Sequence, residues 1–134
     1  MGALYQYVTQ VLSGSAVTLT TTAETAVAVT PLPDERAEPA LGVLVSGFVS
    51  VTTGTTGTSA VVVKIRAGSG TGGTVLQTIT STATTSSSYN IPISYFDQSG
   101  AFPIGQYTVT VTQTGATANG SAFGTLGITP SQEA

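Results

Sequence analysis

Apolar and polar residues alternate with a period of two along most of this chain, the pattern of strands that bury one face. Segment 106–114 shows it most fully: Tyr107, Val109 and Val111 point one way, and Thr108, Thr110, Thr112 and Thr114 the other. Segment 60–67 repeats it, with Val61, Val63 and Ile65 opposite Val62, Lys64 and Arg66. Further strands are predicted at 17–22, 25–30, 41–52, 74–80, 87–96 and 121–129, making eight. Segment 41–52 is apolar on both sides, with Val43, Val45, Val49 and Val51 on one face and Leu44 and Phe48 on the other. Cover is therefore expected on both faces, from a second sheet on one side and a neighbouring subunit on the other. Turn signals fall at 54–57, 68–73 and Asn119-Gly120, and the last of these predicts a tight hairpin between the final two strands. Pro92 has no N–H for a ladder, so its strand belongs at an edge or carries a bulge.

These elements predict an all-β fold, an antiparallel β-sandwich that is jelly-roll-like with about eight strands. An immunoglobulin-like sandwich is the nearest competitor, but the Cys and Trp of its antibody form are absent. Segment 31–39 holds Asp34, Glu35, Arg36 and Glu38 between prolines and reads as an exposed loop, since the strand patterns on its two sides are alike. The domain reading is one sandwich over 15–134 preceded by an N-terminal arm over 1–14. Residues 1–12 fit helical and strand periods equally, with no helix cap, and an extended arm is preferred. Its Leu4, Tyr5 and Tyr7 are expected to pack on another chain.

Composition then removes most chemistry. The 134 residues include no His, Cys or Trp, and only nine charged side chains, three Lys or Arg and six Asp or Glu. Without imidazole or thiol, and with the acids scattered, no acid–base pair or activated nucleophile can be assembled, so the chain is read as a non-enzyme with no cofactor. A thiolate zinc site is impossible, and only Asp34, Glu35 and Glu38 come near a calcium cluster. A net charge of −3 with Arg36, Lys64 and Arg66 as the basic residues argues against nucleic acid. No apolar run is long enough for a membrane helix, and the start lacks the form of a secretory signal, so synthesis and assembly inside a cell are expected.

The remaining candidates are surfaces. The Thr rows at 18–22 and 108–114 read as solvent faces of strands rather than an ice-binding array, because no solenoid period accompanies them. Lys64 and Arg66 share a strand face and are the best candidates for a polar contact that sets orientation, with Asp97 or a partner's acid as counter-charge. Tyr89, Tyr95 and Phe102, within a group that also includes Phe96 and Tyr107, are the candidate sugar-stacking residues of an alternative, glycan-binding reading. Glycines 68–73 lack the Lys and following helix of a phosphate loop and read as a flexible hairpin. Asn119-Gly120-Ser121 matches a glycosylation acceptor, although the turn reading accounts for the same residues.

The stretches Val61-Val62-Val63-Lys64-Ile65-Arg66-Ala67-Gly68, Thr74-Val75-Leu76, Ser94-Tyr95-Phe96-Asp97 and 107–115 together resemble small virion proteins of tailed bacteriophages, the capsid decoration or cement class. The similarity covers roughly 41–129. It implies a jelly-roll-like protein, often a homotrimer, on the outer capsid surface of the virion, where it clamps the major capsid protein lattice. The short N-terminal arm departs from that class. A glycan-binding host-adsorption module and a tail or fibre subunit are the competing functions.

Overall fold

The computed structural model describes residues 16–21, 23–30, 42–54, 59–81, 88–98 and 106–131. They form β1 (Val17–Leu19), β2 (Thr25–Val29), β3 (Gly42–Gly54), β4 (Ala60–Ala67), β5 (Val75–Thr80), β6 (Ser88–Asp97), β7 (Tyr107–Thr114) and β8 (Ala118–Ser131). Two four-stranded sheets result, ordered β1-β8-β3-β6 and β2-β7-β4-β5. All pairings are antiparallel. The pairs β1·β8, β2·β7, β3·β6 and β4·β5 nest one inside the next, as though one long hairpin had been rolled up. That is the jelly-roll order.

Alternation explains why the layers adhere. Val43, Val45, Val49 and Val51 of β3, with Ile91 and Ile93 of β6 and Leu126 and Ile128 of β8, face Val61, Val63, Ile65, Val109 and Val111 of the second sheet. All are buried. Each such side chain contributes about 1.5–3 kcal/mol of transfer free energy, and β-branching stiffens the strands that carry it. β6 forms an edge, as Pro92 requires, with Pro92 opposite Phe48 of β3.

Two expectations fail. Asn119 and Gly120 do not form a hairpin turn: both lie inside β8, and β7 and β8 belong to different sheets. The chain crosses between sheets at Gly115, which takes φ 75°. Gly120 is needed for closeness instead, because a Cβ there would collide with the Thr52 carbonyl oxygen of β3. The second failure concerns Thr108 and Thr110, which are fully buried rather than solvent-facing.

Gln113, fully buried at one end of the sandwich, joins both sheets. Its Oε1 accepts from Gly54 N at 3.1 Å, while Nε2 donates to the carbonyls of Ala118 at 3.1 Å and Leu19 at 3.3 Å. β1, β3 and β8 are thus tied to β7 through one amide.

Candidate functional site

The outer face of the second sheet shows what buries the two threonines. Arg66, on β4, extends its guanidinium across β7 to Glu24, just before β2. Nε donates to Oε2 at 2.6 Å and Nη2 to Oε1 at 2.8 Å, a bidentate pair whose side chains are 14% and 21% exposed. Thr110 donates to Glu24 Oε2 at 2.6 Å, and Arg66 Nη1 donates to the Gly73 carbonyl at 2.6 Å. The bonds from Arg66, followed by the one from Thr110 and the charge of Lys64, hold the Glu24 carboxyl at about 2 against burial, from an ordinary 4.5. The same pair raises the Arg66 pKa.

Beside this cluster the 68–73 hairpin folds back on β7. Thr108 Oγ1 donates to Gly68 O at 2.6 Å and accepts from Gly70 N at 3.0 Å. Gly68 and Gly70 take φ of 87° and 94°, which glycine adopts without strain. The loop expected to be flexible is a pinned cover.

Arg66 is therefore committed within the chain, and its counter-charge is Glu24 rather than Asp97. Asp97 sits across the sandwich on β6 and accepts from Tyr107 OH at 2.6 Å. Burial first, and then that bond, push the Tyr107 phenol far above its ordinary range. Lys64, half-buried on the same face as Arg66, adds its charge to the field at Glu24.

The candidate sugar-stacking residues do not make a platform among the described residues. Tyr89 and Tyr95 both point inward from β6 and pack against the core, and Tyr89 OH donates to Ser59 O at 2.5 Å. Phe102, and the arm residues Leu4, Tyr5 and Tyr7, lie outside the described residues.

The first sheet presents a different outer face. Leu44, Phe48, Phe96 and Phe123 project from it, each 36–43% exposed, and account for all but Val75 of the large exposed apolar side chains among the described residues. Phe48 and Phe123 meet edge to face, centroids 6.1 Å apart at 87°. The Phe96 ring lies over Gly42, where a Cβ would collide with it. None of the outward positions of β3, β6 and β8 among the described residues is charged. Sequence flagged Leu44 and Phe48 as needing cover. It did not join them to Phe96 and Phe123, because that requires the β6-β3-β8 pairing.

The fold has solved counterparts. A chain in the structure of infectious bursal disease virus, Gt strain, superposes with a TM-score of 0.60 at 16% identity, covering 91% of this chain and 32% of that one. A chain in the structure of the Gx strain gives a TM-score of 0.47 at 17% identity, covering 97% and 32%. This chain thus spans about a third of the length of the virus chains it resembles. At such identity the likeness establishes a shared fold. No protein-family model and no curated protein matches the sequence.

Proposed function

We propose that this chain is a structural protein of a virus particle rather than an enzyme. The observation that carries the reading is that this jelly-roll sandwich superposes, over 91% of the chain, on a chain of a virus structure. The scarcity of chemistry agrees with it. The charged residues among those described are Glu24, Lys64, Arg66 and Asp97, and of these Glu24, Arg66 and Asp97 are engaged by neighbours in the same chain.

The finer proposal follows the sequence resemblance: a decoration protein of a tailed-phage head, on the outer capsid surface, bound to the major capsid protein lattice. Such a protein stabilises by mass action, because it binds the assembled shell and not separated subunits, and repeated weak sites act together across the lattice. Broad, rigid, chemically quiet faces suit that role. In this proposal 15–134 is one sandwich, the arm supplies contacts through Leu4, Tyr5 and Tyr7, and Lys64 supplies the polar contact that Arg66 does not.

Co-sedimentation tests it. The full chain, added to particles prepared without it from the virus that encodes it, is expected to pellet to a saturable ratio and raise the temperature at which the shells open. Failure to pellet together with saturable binding on a glycan array would replace this reading with host adsorption.

A further inference from the structure

The outer face of the first sheet is corrugated, with large and small side chains in successive rows. Across β6, β3 and β8 its successive rows are Phe96, Leu44, Thr129; then Ser94, Ser46, Gly127; then Pro92, Phe48, Thr125; then Asn90, Ser50, Phe123. Large and small side chains alternate along the central strand: Leu44, Ser46, Phe48, Ser50.

We propose that two copies of this chain dock these faces on each other about a two-fold axis. The axis lies between the sheets and crosses the strands at the row of Gly47. It sets the Leu44 row against the Ser50 row and the Ser46 row against the Phe48 row. Large then meets small at each position: Leu44 faces Ser50, Phe96 faces Asn90, Phe123 faces Thr129 and Phe48 faces Ser46. Pro92 likewise faces Ser94, and Thr125 faces Gly127. Sheets pack face to face at about 10 Å when their side chains interdigitate in this way. The roughly 30° between aligned layers keeps the match best in the two rows beside the axis.

Charge favours a second copy as the occupant. A face without charged residues offers a charged partner nothing to pair with, yet meets its own image without repulsion, although the whole chain carries −3. Three strands about 4.8 Å apart and rows extending about 30 Å give roughly 430 Å² per copy, or under about 900 Å² in total. That is the size of a weak, transient contact, so the dimer should form in a concentration-dependent way. The rings are set in advance, Phe96 over Gly42 and Phe48 against Phe123, which limits the ordering cost of docking. The contact does not depend on the virion reading.

Light scattering on the full chain across a concentration series tests the proposal. The wild-type mass is expected to rise from one chain to two. Phe48→Asp buries an unpaired carboxylate and should weaken pairing on the order of a hundredfold while the β-sheet circular dichroism stays unchanged. The register is tested by mixing the Phe48→Asp chain with a Ser46→Lys chain, because the axis sets each new charge against the other. Each variant alone should stay single, and the mixture should recover the two-chain mass. A wild-type chain that stays single or forms a trimer, a dimer indifferent to Phe48→Asp, or a mixture that does not recover would each overturn the proposal. Loss of particle binding with the dimer intact would count against the virion reading alone.

Discussion

Glu24 and Arg66 are the residues whose roles the structure most changes. A carboxylate held at about 2 by a bidentate guanidinium contributes stability that is whole above about pH 4.5 and is lost as pH falls towards 2. Glu24→Gln is expected to cost about 1–3 kcal/mol at neutral pH. It should also flatten the acid limb of a stability-against-pH curve followed by urea denaturation; an unchanged limb would show that the pair contributes nothing. Gln113→Ala should cost about 3 kcal/mol, since it opens a cavity and strips partners from Gly54 N and the carbonyls of Ala118 and Leu19. A urea midpoint within error of wild type would contradict that role.

At the scale of elements, the glycines separate into two kinds with opposite tolerance. Gly120→Ala drives a methyl into the Thr52 carbonyl and must separate β8 from β3, so a loss of at least about 2 kcal/mol is expected. Gly72→Ala enters open space and should change stability by less than about 0.5 kcal/mol. Equal thermal midpoints for the two variants would refute the packing account. The contrast also shows what the sequence could carry. Period-two alternation placed the eight strands within a few residues of their observed bounds, because burial of one face is a local pattern. Partner choice is not local, and Asn119-Gly120 looks like a hairpin turn until β8 is seen pairing with β3. Thr108 and Thr110 misled for a related reason: threonine has valine's shape, so alternation cannot tell a wet outer face from one covered by Arg66, Glu24 and a glycine loop. The Glu24–Arg66 pair spans 42 positions and left no mark in spacing.

For the molecule as a whole, the two outer faces divide the work. The second sheet's face is sealed by its own ion pair and pinned hairpin, whereas the first sheet's face leaves aromatic rings exposed and uncharged. Docking two copies through the aromatic face turns Lys64 and the second sheet outward, which leaves them open to the shell contact proposed above. Salt should then affect the two contacts differently. Copy-to-copy pairing through an uncharged face is expected to hold or strengthen as salt rises, while attachment through Lys64 should weaken, read by light scattering and co-sedimentation in parallel. Equal salt dependence would mean that the faces had been assigned wrongly. The proposed virion role is tested most directly by the copy number of this chain in purified particles of the virus proposed to encode it, by quantitative mass spectrometry. A fixed ratio to the shell protein, kept through repeated purification, is the expected result. Absence from the particles, with the chain recovered only from infected-cell lysate, would contradict the account.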